Sequence, residues 1–465
     1  MPLRLLTAGE SHGPALGAIL EGLPAGIPVS ADAIATDLAR RQRGYGRGAR
    51  MRIEQDRAEI LGGVRHGRTL GSPVHLVVRN RDWESWTRVM QVEGLSESEA
   101  DELAALAAAG DRRALPVTRV RPGHADLAGA LKYGTRDVRD ILERASARET
   151  TMRVAAGAVC RAFLAGLGID VWSFTAEVGG TAMDPARATR TRAETEESPL
   201  RCPDPHGEAA MIARIDEARS RGDTVGGIFE VVATGVPVGL GSHVHWDRRL
   251  DARLAGAVCS IQSVKGVEFG LGFEQTRRFG SEVHDVITGI GPGAEPLSVA
   301  GADLPRGALR TQDGARRDVP VRDEAAEAPI HYEPVRRWLH ATNRAGGLTG
   351  GMSNGEPIVV RGAVKPISTL ARPLPSADLR TGEAVETAHY ERSDISVVPA
   401  AGVIGEAMVL LVLADAVLEK FGGDSLDEIR DNLRRYRERT VGAAGRGAAA
   451  PASDEQPVPG DGGDA

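Results

Sequence analysis

Lysine is almost missing from this chain. Only Lys132, Lys265, Lys365 and Lys420 stand among its 57 basic residues, and the rest are arginine. Cysteine is scarce as well: Cys160, Cys202 and Cys259 are scattered and form no C-x-x-C pair. That excludes a disulfide framework and a cysteine-built structural zinc site, and it points to a reducing cytoplasm. Aromatic residues make up 4%. No unbroken apolar run approaches the roughly 20 residues of a membrane-spanning helix. The greasiest stretch, 407–414, lies between Glu406 and Asp415 and reads as part of a core helix. Glu10 and His12 follow the N-terminus too closely for a signal peptide. A formal net charge of -7 over 465 residues excludes both a generally basic nucleic-acid coat and a polyacidic tail. Glycine, by contrast, is abundant: 57 residues, about 12% against a usual ~7%. Arginine forks suit carboxylates and phosphates, and glycine lets backbone approach a ligand closely.

Along the chain, 3–7 reads as a short strand, followed by a helix over 15–20. Ser30 is the expected N-cap of a helix running toward Arg41. The alternation in 73–79 predicts a strand with Val74, Leu76 and Val78 on one face. A surface helix is expected over 96–106, and a long helical region, capped by Thr135, over 137–167. Residues 226–238 and 357–364 read as strands, and 250–260 as a helix. A strongly apolar helix over 403–421 ends at Gly422-Gly423. Segments 184–220 and 295–330 are polar and read as insertions or long loops. Residues 441–465 hold too little apolar surface to order themselves and read as a disordered tail. The interleaved elements predict a mixed α+β fold.

Several clusters carry chemistry. Arg40, Arg41, Arg43, Arg47, Arg50 and Arg52 are threaded with glycine, and no acid lies between Asp37 and Glu54. Such a segment suits a multiply anionic small molecule, and it also resembles an Arg-Gly tract that binds RNA. Gly9-Glu10-Ser11-His12-Gly13 matches the G-x-S-x-G nucleophile elbow, so a serine hydrolase using Ser11 is an alternative. Gly351-Met352-Ser353-Asn354-Gly355 matches the same pattern, which shows how easily a glycine-rich chain produces it. His12 and His124, the latter within Arg121-Pro122-Gly123-His124-Ala125-Asp126, each sit in a glycine turn and are candidate general acids. The glycines of 343–351 lead to Lys365-Pro366-Ile367-Ser368-Thr369, which suits a flat or phosphorylated ligand, without a Walker or dinucleotide-binding motif. Arg392-Ser393-Asp394 places a carboxylate before the apolar helix. His243 and His245 lack an evident third metal ligand, so no metal site is expected.

Together these blocks resemble the chorismate synthase family. The resemblance rests on Gly9–Gly13 continuing to Glu21-Gly22-Leu23-Pro24, on 41–51 (R-Q-R-G-Y-G-R-G-A-R-M), and on the block 121–135. It continues through Glu143-Arg144-Ala145-Ser146-Ala147-Arg148-Glu149-Thr150, 223–227, 260–268, 343–355, 365–369 and Arg392-Ser393-Asp394, all in family order.

The resemblance implies a β-α-β sandwich, with helices between two antiparallel sheets, in a single catalytic domain over 1–440 and a homotetrameric assembly. It also implies a cytoplasmic shikimate-pathway lyase. Such an enzyme converts 5-enolpyruvylshikimate 3-phosphate to chorismate and phosphate by anti-1,4-elimination, using reduced FMN without net redox change. NADPH is then a candidate reductant, and no nucleic-acid or membrane partner is implied. By the same resemblance His124 protonates the reduced flavin, and His12, beside Ser11, lies by the substrate phosphate. Asp394 works with the flavin to remove the substrate's C6 proton. FMN contacts fall on Arg144, Ala145, Ser146, Gln262, Ser263, Gly350, Lys365, Pro366, Ile367, Ser368, Thr369 and Arg392. Arg41 and Arg47 match positions for NADP or the substrate phosphate, while Arg50 and Arg148 match substrate arginines. The chain departs from the family where Asn-Ala is usual, carrying Gln262-Ser263, and where His is usual, carrying Arg344. Segments near 92–115 and 184–220 match nothing in the pattern.

Overall fold

The computed structural model describes residues 2–48, 55–291, 337–391 and 394–442. The expectations for 295–330, for the tail beyond 442, and for Arg50 and Arg392 lie outside the described residues. The first sheet is antiparallel and combines β1 (Arg4–Ala8), β2 (Ala15–Glu21), β3 (Ala58–Gly62) and β4 (Val74–Arg79) in the order β1-β2-β4-β3. Residues 15–20 are therefore strand, not helix. The run A-L-G-A-I-L is apolar throughout, so it displays neither period, and pairing with β1 and β4 decides its conformation. Leu16, Ala18 and Leu20 then face the core beside Val74, Leu76 and Val78, all 2% exposed or less.

The second sheet holds β5 (Asp170–Val178), β6 (Thr181–Ala182), β7 (Gly227–Thr234), β8 (Val264–Phe269) and β9 (Ile358–Val364), in the order β8-β9-β7-β5-β6. It too is antiparallel.

Helices fill the space between the sheets. Ser30 caps α1 (Ala31–Gln42) by accepting from the Ala33 N–H at 3.1 Å. Ser96 and Glu99 form a capping box on α2 (Glu97–Ala108). The region expected as one helix over 137–167 is instead α4 (Arg139–Ala145) and α5 (Thr150–Ala165), with α3 (Asp126–Tyr133) before them. The break falls at Ser146, whose extended backbone (φ -60, ψ 140) ends α4 while its hydroxyl accepts from the Arg148 N–H. The 184–220 segment is not a loop. It contains α6 (Arg192–Glu197) and the 16-residue α7 (Pro205–Ser220), capped by Asp204 with Pro205 in the first turn. α8 (Leu250–Cys259) precedes β8, α9 (Val398–Phe421) starts five residues before the expected 403, and α10 (Leu426–Gly442) follows.

α5 packs on β2 and β4, α9 packs on β5 and β7, and the two helices pack on each other. A Cβ on Gly157 would lie 2.5 Å from that of Ala407, and one on Gly405 would lie 2.6 Å from the Phe229 ring. Glycine at those two points lets the layers close. By length and composition α9 is apolar enough to span a bilayer, with mean hydropathy 2.1 over its best window, but 83% of that window is buried inside the protein. It is the core helix.

Two carboxylates interrupt this core. Glu406 on α9 is fully buried and takes hydrogen bonds from Arg40, Arg161, Arg201 and Ser173, which tie together α1, α5, α9, β5 and the 184–220 segment. Glu230 on β7 is fully buried too; among the described residues its one ion-pair partner is Arg361 at 3.6 Å, and burial pushes its carboxyl up to about 8. The folded state therefore holds a proton that the unfolded chain, titrating near ~4.3, releases. Stability should fall as pH rises from about 5 through 8. Glu230→Gln is expected to flatten that slope and to melt a few degrees above the parent at pH 8.5 or higher, read by melting temperature against pH. A parental slope retained in the variant would assign the titration to another group.

Candidate functional site

At one end of the sandwich a cleft of about 830 Å³ opens between loops. The β1–β2 turn contributes Ser11 and His12. A Cβ at Gly9 (φ +100) would lie 2.4 Å from the Ala15 carbonyl oxygen, so glycine is required for that turn. Arg41 comes from the end of α1 and Arg47 from the loop after it. The turn before α3 supplies Gly123 (φ +76) and His124. The break between α4 and α5 exposes Ala145, Ser146 and Arg148 to the cleft. Gln262 and Ser263 line it from the α8–β8 connection, Lys365, Ile367, Ser368 and Thr369 from the end of β9, and Asp394 from the approach to α9.

Both histidines are anchored through Nδ1 by buried carboxylates. His12 Nδ1 lies 2.9 Å and 3.0 Å from the two oxygens of Glu143, which is 2% exposed. His124 Nδ1 lies 2.5 Å from Asp126, which is 0% exposed. Arg121 clamps Asp126 with Nε at 2.8 Å and the terminal nitrogen at 3.1 Å. Burial alone would raise the Asp126 carboxyl, but hydrogen bonds from His124 and Arg121 outweigh it and hold the group well below the usual carboxylate range. Glu391 shows the same contest: burial pushes it up, while His389 and Arg121 bring it down to about 2. Arg121 stays beside an ionised carboxylate on each side.

The arginines are built into the wall. Arg41 donates to Thr150 Oγ1 and the Ala147 carbonyl, and Arg148 to Asp56 and Asn80. Arg47 pairs with Asp394 at 3.3 Å, and the Gly48 N–H donates to the same carboxylate at 2.6 Å. Lys265 and Lys365 are different. Both line the cleft; the Lys365 ammonium donates to the Pro366 carbonyl at 3.4 Å, and among the described residues neither lysine is paired with a carboxylate. The Lys365 ammonium is lowered by burial and by the charge of Lys265. Gln262 donates to Glu149 at 2.7 Å, yet its buried Oε1 has no partner among the described residues.

Some expected positions lie off the lining. Arg144 donates to the carbonyls of Thr7 and Gly9 and so holds the His12 turn from behind. Gly350 occupies the hairpin turn between Leu348–Thr349 and Met352–Ser353, and Pro366 points to solvent. Arg121, Asp126, Glu143, Glu391 and Lys265 are site residues that sequence reasoning left without a role. Asp126 carried a signal, two residues beyond His124. Glu143 carried none toward His12, from which it is 131 positions away.

The two alternatives lose their structural basis. Ser11 sits in a strand–turn–strand connection, whereas a nucleophile elbow needs strand–turn–helix, and its hydroxyl is 3.3 Å from that of Ser146. Ser353 is buried and donates to the Pro237 carbonyl. Arg40, Arg43 and Arg47 turn to Glu406, Glu197 and Asp394, so the described part of the Arg-Gly segment is folded onto acids from elsewhere, unlike an open RNA-binding tract.

A helix-filled double sheet, with a cationic cleft holding two histidine–carboxylate pairs, defines an acid–base enzyme acting on an anionic small molecule. The family model described as chorismate synthase matches residues 3–418. Chorismate synthase of Thermobifida fusca is 50% identical over 443 residues, covering 94% of this chain and 99% of the relative. That of Trichlorobacter lovleyi is 51% identical over 436 residues, covering 93% and 98%. A crystal structure of chorismate synthase superposes with a TM-score of 0.65 at 38% identity, covering 94% of this chain and 98% of the other. The chain belongs to the chorismate synthase family. It is a lyase of aromatic amino acid biosynthesis by the shikimate pathway.

Proposed function

We propose that this cleft converts 5-enolpyruvylshikimate 3-phosphate to chorismate and phosphate by anti-1,4-elimination, with reduced FMN bound beside the substrate. The observation that carries this reading is the joining of two histidine–carboxylate pairs with unneutralised lysines in one cleft of the family fold.

The residues fit a flavin mononucleotide. Gln262 offers a buried unpartnered acceptor oxygen, suited to a ring N–H. Ser263, held at φ +70, and the loop 365–369 shape the wall around it. Lys265 and Lys365 suit a phosphate, as do the hydroxyls of Ser368 and Thr369. Ala145, Ser146, and Arg392 from outside the described residues, complete the proposed contacts, while Arg144 acts through the turn it holds. When bound, reduced FMN lends electron density to the substrate and recovers it, so the overall reaction has no redox change.

The chain's own residues handle charge and protons. Arg41, Arg47 and Arg148 hold the substrate's carboxylates and phosphate, with Arg50 from outside the described residues. Preorganised guanidinium groups stabilise the charge that develops as phosphate leaves. His12, with Ser11 beside it, holds a proton for the leaving phosphate, and His124 holds one on the flavin side. Asp394, paired with Arg47, is the carboxylate proposed to accept a proton. By family likeness the protein works as a cytoplasmic homotetramer, its catalytic unit spanning 1–440, with NADPH a candidate reductant for the flavin.

Anaerobic incubation with the phosphorylated substrate and chemically reduced FMN is expected to yield chorismate and phosphate in equal amounts. Folded protein that yields neither would sink the proposal. Replacing reduced FMN by oxidised FMN plus NADPH tests whether the chain reduces its own flavin.

A further inference from the structure

We propose that Glu143 is the positioning residue of His12, with Trp86 as the backstop of the imidazole. The inference rests on His12 serving the elimination described above. Glu143 makes two bonds to the same residue: its Oε2 accepts the His12 backbone N–H at 2.9 Å, and its carboxylate meets Nδ1 at 2.9 Å and 3.0 Å. Its own backbone carbonyl accepts the Ser11 N–H at 3.1 Å, so the β1–β2 turn is tied to α4 at three points. The carboxylate is steadied by Arg139 at 3.5 Å, one helical turn before it. On the flat side of the imidazole the Trp86 ring stacks at 4.0 Å and 23°. The Arg139 guanidinium lies 5.3 Å above the same indole. Arg139 thus supports both residues that hold the histidine.

The consequence is directional. Nδ1 is committed to a carboxylate that is 2% exposed, and this fixes the plane of a ring that lines the cleft. A carboxylate fixing one imidazole nitrogen so that the other can act is a recurring arrangement in acid–base catalysis.

Glutamine at 143 removes the negative charge and sets an amide NH2, a donor, at one of the two oxygen positions that face Nδ1. Aspartate keeps two acceptors on a shorter stem. Steady-state assays of Glu143→Gln are expected to show kcat lowered by roughly 10- to 100-fold with KM for the phosphorylated substrate within about two-fold, and Glu143→Asp should retain more of kcat. An activity-free readout runs beside this. Stacked histidine quenches indole emission, so the Trp86 contribution, read as parent minus Trp86→Phe, should be weak in the parent. It should brighten in the Glu143→Gln background as the ring is released. Parental kcat together with unchanged Trp86 emission in Glu143→Gln overturns the proposal. If Glu143→Gln does not fold, Glu143→Asp decides: parental kcat and emission there overturn it, and a lowered kcat with brighter emission supports it. Should the parent form no chorismate, the reaction assignment fails while the emission test still judges the positioning role.

Discussion

Replacing His124 by alanine is expected to lower kcat by roughly 10² or more, and His12→Ala to do the same, because each ring supplies a positioned proton. The expectation follows from how the rings are held. Each has its Nδ1 on a carboxylate buried to 2% exposure or less, an arrangement that costs desolvation and gives a fixed Nε2 in return. The fold should survive both changes. Asp126 keeps its Arg121 clamp when His124 is lost, and Glu143 keeps Arg139 and its tie to the His12 backbone N–H. Substrate affinity should change little, since the arginines are anchored by other partners, Arg41 by Thr150 and Arg148 by Asp56 and Asn80. Steady-state kinetics with a melting-temperature control checks this. Near-parental rates in both variants would reject the roles of the two histidines.

Glu406→Gln is expected to cost about 3–5 kcal/mol of folding stability, the usual scale for breaking a buried ion pair from one side. Glu406 is the shared partner of Arg40, Arg161 and Arg201, all on buried or half-buried stems, and a neutral amide leaves those guanidinium groups short of negative charge. Burial would raise this carboxyl, but the three arginines outweigh it and hold it far below the usual carboxylate range. A depressed folded value means the stabilisation is complete above the unfolded pKa of about 4.3 and disappears as pH falls below it. Denaturant titration at pH 7 should therefore show the full loss, and the gap between parent and variant should narrow under acid. A stability loss under about 1 kcal/mol at pH 7 would mean that Asp37 and Glu196, which also pair with Arg40, carry the charge balance without Glu406.

What could be read from the sequence was mostly local. Ser30 caps a helix where its neighbours said it would, the surface helix expected over 96–106 is α2, and Val74, Leu76 and Val78 alternate into the core. Gly422 ends α9 at the expected position. Residues 15–20 failed because an all-apolar run carries no period, and its strand partners β1 and β4 lie outside any local window. The break at Ser146 was hidden by good helix formers on both sides. The 184–220 segment looked like loop because its buried charges, such as Arg201 and Glu208, find partners only in the folded protein. The same reason applies at the cleft. The order of motifs pointed to His12, His124, Lys365 and Asp394, but the carboxylates that aim the two histidines become visible only in three dimensions. Glu143 reaches His12 because α4 packs under the β1–β2 turn, and no spacing rule encodes that contact.

The most direct test of the account is the redox balance of the flavin during turnover. Under strict anaerobiosis, with FMN chemically reduced and present at a small fraction of the substrate, the protein should form many molecules of chorismate per flavin, one phosphate with each, and leave the flavin reduced at the end. One flavin oxidised for every product, or phosphate released without chorismate, would contradict it.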